Sequence, residues 1–532
     1  MGSSAAHYLC NNNNHNNNNM SNEQPIEHPI EEEEGKTGGC KCTGFLGNSV
    51  ARGMGITAAG RGAVVASNIF ISSSLLYLAS QEAGCLDEDG KTTDCDAKIY
   101  GFQPSSLITN IAVISNLVAA VFNPLVGALV DFTDHRHALG TICSFIIIMI
   151  QAIQVYTVSS TWFIMAILQS IAGAIYQFML TSTYAYFPEM TKELGEKAMH
   201  SIAPKITITQ FSFQATFMVL IIGISIGIGS GDVLTAQISQ GINAAILLVT
   251  WSIGWFKLLP KSKAKRVLPE GKSLCSAGFS QIFQTAKHIN SNYKHSIRWY
   301  LLALIFAEAG ANSFTICAVT YLNEVLKMSG TETGIVFLIV LVCTIPGSFL
   351  CEYVVNKTNF NTGWRLNMLY FAVVTTVGVF VLNDEYDKIK TYILGIFWGI
   401  ALGWFYPTEN GFFAVLVPQE QATEMAGIYN FCALVISWCP PFIFTAMNEN
   451  GIPLNYGLLH LVVYFFIAIG FLSLMPDWET VIAESHGGQS SQEQEGDEEE
   501  TTAKDPATKP DSNTESTNQL DVEQPSSSQA QE

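Results

Sequence analysis

From about residue 57 to residue 476 the chain is built of long stretches with almost no charge. Val64–Ala79, Leu107–Val130, Cys143–Thr157 and Phe211–Ile228 hold no charged side chain at all. Of the 532 residues, 48% are hydrophobic and 13% charged, where a soluble domain usually carries about 25% charge. A helix needs roughly 20 apolar residues to cross about 30 Å of hydrocarbon. Inside lipid every backbone polar group must pair within the chain, which helices achieve alone. The alternating segments of about 10 residues that build a membrane barrel do not occur. The expected fold is therefore an all-α membrane protein of about twelve transmembrane helices. They are placed near 58–80, 105–130, 138–158, 161–187, 204–229, 236–259, 297–322, 332–356, 364–382, 391–417, 422–447 and 453–475.

The flanks differ. Residues 1–57 carry an Asn run (Asn11–Asn19, broken by His15) and the acidic run Glu31–Glu34, and residues 477–532 are rich in Ser, Thr, Gln, Glu, Asp and Pro. Both are expected to be disordered tails. The net charge of −19 gathers much of its weight there, as in Asp497–Glu500, so it says little about a substrate. No charged-then-apolar leader precedes residue 57, so the first span is expected to act as the targeting signal. Cys40 and Cys42 form a C-x-C pair that could bind metal, carry palmitate or remain two thiols.

Lysine and arginine in short loops set orientation. The segment between the sixth and seventh spans bears Lys257, Lys261, Lys263, Lys265, Arg266, Lys272, Lys287, Lys294 and Arg298 against Glu270 alone, which places it in the cytosol. An even span count puts both tails there too. The loop 81–104 then faces the other side with its acids Asp87, Glu88, Asp89, Asp94 and Asp96. Within the linker, Phe279, Ile282, Phe283, Ala286, Ile289 and Tyr293 recur at helical spacing and predict an amphipathic helix on the membrane or against the helix ends. The layout is a six-helix bundle at 58–259, a basic linker at 260–296 and a second six-helix bundle at 297–476. The halves echo one another: Tyr186-Phe187-Pro188-Glu189 closes the fourth span and Val417-Pro418-Gln419-Glu420 the tenth. A six-helix repeat about a long central loop is a two-bundle transporter arrangement.

Between spans two and three stands Gly127-Ala-Leu-Val-Asp131-Phe-Thr-Asp134-His135-Arg136. It resembles the G-x-L-x-D-x-x-G-R-R signature of the major facilitator superfamily, with Asp134 in place of the second Gly and His135 in place of an Arg. Gly127 would let helices approach closely, Asp131 would pair with a helix N-terminus or a cation, and Arg136 would reach an acidic partner, together forming a gate. A wider resemblance runs through Ala66–Phe70, Leu78–Gly84, Tyr184–Met190, Phe413–Tyr429 and Pro440–Phe444. In that order these segments resemble the vacuole effluxer-like family of that superfamily. The resemblance implies twelve-span facilitators that export amino acids from the vacuole after autophagic breakdown. Related bacterial sequences carry Ser-Arg-Ser where this chain reads Glu409-Asn410-Gly411.

Polar groups inside the spans carry the chemistry. Glu308 and Glu409 lie within apolar stretches, where a carboxylate costs several kcal/mol unless paired or protonated. They are candidates for proton coupling or for holding a substrate ammonium group, or else structural carboxyls bonded to a neighbouring helix. Asn68, Asn116, Asn123, Gln169, Tyr176, Gln177, Gln210, Gln214 and Asn312 are candidate cavity-lining groups, each alternatively a helix–helix hydrogen bond. Lysine and arginine are expected only at span ends (Arg61, Lys205, Arg298), which disfavours a strongly anionic cargo, since such sites recruit the arginine fork.

Cys85 and Cys95, in the first non-cytosolic loop, are read as a disulfide in an oxidising compartment or as two free thiols. No phosphate-binding glycine loop and no zinc spacing occurs, so neither enzyme nor cofactor is expected. The function expected is secondary export of amino acids or similar zwitterions from a vacuole or lysosome, with protons as a coupling ion, in a monomer that meets lipid and no nucleic acid. The plasma membrane is the alternative site. Alternative functions are transport of a sugar, a drug-like cation or a metal chelate, or a non-transporting receptor or scaffold acting through its tail.

Overall fold

The structure is a computed structural model that describes residues 47–86, 97–194, 196–261, 263–264, 267–268, 271, 273–417 and 422–485. The first bundle comprises α1 (Ser49–Glu82), α2 (Leu107–Phe132), α3 (Arg136–Ile153), α4 (Trp162–Tyr184), the short α5 (Phe187–Leu194), α6 (Glu196–Ile228) and α7 (Asp232–Ile253). The linker helix is α8 (Leu274–Asn292). The second bundle comprises α9 (Ile297–Glu324), α10 (Gly330–Lys357), α11 (Phe360–Val381), α12 (Lys388–Leu416), α13 (Ala422–Val435), α14 (Cys439–Glu449) and α15 (Leu454–Ser473). Among the described residues, twelve helical spans are long and apolar enough to cross a membrane. α13 and α14 share one of them, Met425–Glu449, broken at residues 436–438. Pro440 and Pro441 account for the break: neither can donate to the preceding turn, and both suit the first turn of a new helix.

The bundles are inside-out relative to a soluble protein. On α3, Ile142, Ile146, Met149 and Ile153 are exposed at helical spacing, and on α11 so are Leu366, Leu369, Val373, Val377 and Phe380. Each stripe is apolar yet uncovered, as a face turned to lipid must be. Polar chains run within. Gln154 donates to Gln169 at 2.9 Å and Gln169 donates to Asn68 at 3.0 Å, while Asn243 donates to both Ser67 and Gln151.

Two boundaries differ from expectation. The first helix begins at Ser49 rather than 58, because the Asn48 side chain accepts the Ala51 N–H at 3.0 Å and caps it. The second tail does not begin at 477: residues 478–485 are helical. Asp477 accepts the Thr480 N–H, the Trp478 ring lies tilted against those of Phe360 and Phe412, and Val481 is fully buried. The remaining tail expectations, including Cys40 and Cys42, lie outside the described residues.

The bundles meet where α2 packs on α13 and α14, and where α6 packs on α10. Polar contacts between them gather at one end, that of the loop between α1 and α2, termed here the loop end. Lys98 pairs with Glu449 at 2.8 Å, and Glu449 also accepts the Gln103 N–H. Asn448 donates to Ser105 and Ser106 at 2.7 Å each, and Thr109 meets Thr445 at 2.7 Å. Asp232 accepts the Gly330 N–H at 2.8 Å, Ser225 meets Thr331 at 2.8 Å, and Asn323 donates to Ser73 at 3.3 Å. At the opposite, linker end, α8 lies across α2 and α13. Its Gly278 faces the Pro124 carbonyl so closely that a Cβ would stand 2.3 Å from that oxygen. Ile289 and Tyr293 are buried, whereas Phe279 and Phe283 are exposed. The amphipathic linker helix therefore uses one face on protein and offers the other outward.

Candidate functional site

Glu308 is carried by α9 about three turns inside its start, and Glu409 by α12 about two turns before its end. The opposite running directions of the two helices bring them level at the linker half of the second bundle. The two carboxyls lie close enough to interact with each other. Glu409 is fully buried and Glu308 6% exposed. Tyr429 of α13 donates its hydroxyl to Glu409 Oε1, Asn312 donates to Glu308 Oε2, and Tyr300 donates to the Glu409 carbonyl at 3.1 Å. Glu409 Oε2 is buried and receives none of these bonds. Two ionised carboxylates cannot share such a contact, because like charges this close repel by several kcal/mol in a weakly screened interior. One proton on the pair removes that repulsion. Pro407 stands just before Glu409 without breaking α12. Pro407 leaves the Gly403 carbonyl, four residues back, without its backbone donor, and Ser348 of α10 donates to that carbonyl at 3.0 Å.

The gate motif is only partly assembled as expected. Arg136 is 1% exposed and caps the α4–α5 junction. It donates to Glu189 at 2.7 Å and to the Ala185 carbonyl at 3.1 Å, and lies 4.1 Å over the Tyr186 ring. Tyr186 in turn donates to the Pro260 carbonyl at 2.9 Å, and burial pushes its hydroxyl up from the ordinary tyrosine value. Asp131 makes no ion pair or hydrogen bond among the described residues. At Gly127 a Cβ would meet nothing within 4 Å, so the close approach expected there falls instead on Gly278.

The neutral candidates separate into several places. Asn68 and Gln169 bond to each other between α1 and α4. Asn123 accepts from Thr181 at 2.8 Å, and Asn116 reaches across the bundles to the Ser437 carbonyl at 3.2 Å. Asn312 joins the Glu308–Glu409 pair. Tyr176, Gln177 and Gln214 are half-buried in the first bundle. Gln210 bonds to Arg61, and that contact overturns one expectation. Arg61 is no exposed span-end residue: α1 starts about three turns further back, and the guanidinium is 1% exposed. Cys85 is disulfide-bonded, and Cys95 lies outside the described residues. Tyr300, Tyr429 and the loop-end residues Lys98, Asp232, Asn448 and Glu449 were not singled out from sequence.

Residues 56–481 match the family described as vacuole effluxer Atg22 like. The chain belongs to that family. Curated relatives are distant. Autophagy-related protein 22 of Cryptococcus neoformans is 22% identical over 185 residues, 32% of this chain and 32% of that one. Autophagy-related protein 22 of Vanderwaltozyma polyspora is 20% identical over 205 residues, 37% of this chain and 39% of that one. The matched part thus spans about a third of those relatives' length. Among solved structures, a mutant form of the nucleoside transporter NupG aligns at a TM-score of 0.55 and 13% identity, covering 80% of this chain and 100% of that one. The xylose transporter XylE from E. coli, in a partially occluded inward-open form, aligns at 0.53 and 13%, covering 81% and 98%. The fold is that of the major facilitator structures, and the chain is a multi-pass membrane protein of the Atg22-like family.

Proposed function

We propose that this transporter couples protons to the export of amino acids or similar small zwitterions from a vacuole or lysosome to the cytosol, by alternating access of its two bundles. The Glu308–Glu409 pair carries the reading. It is a proton-sharing carboxyl pair on two helices of one bundle, within reach of Asn312 and Tyr429, and a substrate ammonium group can displace its proton. The relatives' name, with autophagy in it, and the family's description as a vacuole effluxer support the direction and the compartment. Isolated vacuoles loaded with labelled amino acids test it. Efflux should fall when the protein is deleted, and unchanged efflux would count against the cargo.

The basic linker supports a cytosolic address for the linker end. The loop end, tied by cross-bundle hydrogen bonds, is then the closed luminal gate. Asn356-Lys357-Thr358 is a glycosylation sequon, and Asn356 is exposed at the linker end of α10. It should stay without glycan in cells, and a glycosylated Asn356 would reverse the orientation.

The gate also predicts a population shift. Glu449→Gln with Asn448→Ala removes the Lys98 ion pair and both serine bonds. Such groups contribute about 1 kcal/mol each at a partly wet site. The luminal gate should open about 5–30-fold more often, as a loss of about 1–2 kcal/mol dictates. Alkylation of a Ser73→Cys reporter by an impermeant maleimide from the luminal side measures it; Ser73 is now 2% exposed. An unchanged alkylation rate would mean these bonds do not hold the gate.

A further inference from the structure

Two arginines are buried at the linker end of the first bundle, and they differ in one respect. Arg136 has a carboxylate, a carbonyl and a ring around it. Arg61, equally buried, has a ring and an amide only. Its Nε donates to Gln210 Oε1 at 3.3 Å, and its guanidinium lies 5.3 Å from the centre of the Tyr184 ring. Its Nη1 is buried and without a hydrogen-bond partner, and among the described residues no acid pairs with it. An uncompensated buried charge is costly, and native proteins leave few such groups unexplained. Here the neighbours are not a sealed core. Tyr184 is 36% exposed, and Tyr176 and Gln210 are half-buried. The guanidinium is buried behind these partly exposed neighbours, with one edge unserved. A planar fork of N–H donors in that position fits a carboxylate.

We propose that Arg61 binds the carboxylate of the transported molecule, with Tyr184 and Gln210 positioning its guanidinium. This rests on the zwitterion reading above, and it reverses the sequence-based argument that no buried arginine stands ready for an anionic group.

The test uses the full-length protein in liposomes, with L-tyrosine and L-tyrosinamide as probes; the amide keeps the ammonium and loses the carboxylate. The expected result is a wild-type preference for tyrosine of about tenfold or more in KM, the loss expected when a charged hydrogen-bond partner is removed. It should fall to near unity in Arg61→Gln because tyrosine weakens while the amide does not. Arg61→Lys should retain part of the preference. Gln210→Glu places a carboxylate beside Arg61, and should block tyrosine transport while raising the melting temperature. That arm decides the matter if Arg61→Gln is not recovered folded. A preference intact in Arg61→Gln, or tyrosine transport unaffected by Gln210→Glu, overturns the proposal. Equal loss for acid and amide also overturns it, assigning Arg61 to a gate contact with a protein carboxylate. A wild-type protein that moves neither probe sinks the zwitterion reading itself.

Discussion

Glu409→Gln is expected to abolish accumulation driven by a pH gradient while exchange of substrate across the membrane persists at a raised KM, because Glu308 still offers one carboxylate to the ammonium group. A gradient of one pH unit supplies about 1.4 kcal/mol per proton, enough for a tenfold concentration ratio at one proton per substrate. In proteoliposomes the wild type should approach that ratio and the variant should stay near one. The substitution is conservative for folding. A glutamine oxygen still accepts the Tyr429 hydroxyl and the backbone carbonyl still accepts the Tyr300 hydroxyl, so the hydrogen bonds that seat α12 against α9 and α13 persist. What is lost is the ability to hold and release a proton between two carboxyls. Glu308→Gln should act in the same way. Full accumulation in both variants would remove the pair from coupling and leave it a structural clasp.

The spans are legible in the sequence because lipid allows few solutions. A run such as Leu107–Val130 has to be helix whatever its neighbours do. Glu308 and Glu409 are legible singly, as charges inside apolar stretches. Their contact is not, because it depends on how α9 and α12, far apart in the chain, lie side by side. Tyr429 and Tyr300 leave no signal, since tyrosine is ordinary in a span until its hydroxyl is seen to have a partner. Arg61 looks like a span-end residue for a local reason: the apolar run starts near 58, but the Asn48 cap starts the helix earlier, so a residue at the run's edge lies well inside the helix. Trp478 and Val481 are averaged away by the polar sequence that follows them. At the loop end, Asp232 and Glu449 look like the usual charges at span ends. Only their distances to Gly330, Gln103 and Lys98 show that they tie the two bundles together.

Gly403→Val is expected to prevent recovery of folded protein altogether. On α12, Gly399 and Gly403 stand one helical turn apart and share the face that meets α10. A Cβ at Gly399 would stand 2.4 Å from the Val340 carbonyl oxygen, and one at Gly403 only 2.1 Å from that of Thr344. From the other side, a Cβ at Gly347 would stand 2.4 Å from the Ile400 oxygen. The obstacles are backbone atoms on a neighbouring helix, which no rotamer change can move. Ser348 uses the approach to donate to the Gly403 carbonyl at 3.0 Å. Between membrane helices such contact replaces the hydrophobic driving force that water would supply. Ordinary overpacking costs about 1–3 kcal/mol; two further methyls against a fixed backbone should exceed that and part α10 from α12. Because α12 carries Glu409, a small displacement here would also break the carboxyl pair. Gly223→Ala on α6 is the control, since a Cβ there meets nothing within 4 Å. It should elute as a single species and melt no lower than the wild type, as alanine favours helix over glycine by about 1 kcal/mol. Size-exclusion profiles of the two variants decide it: a monodisperse Gly403→Val protein would mean that α10 and α12 can separate at little cost, and that the glycine face does not fix the position of Glu409.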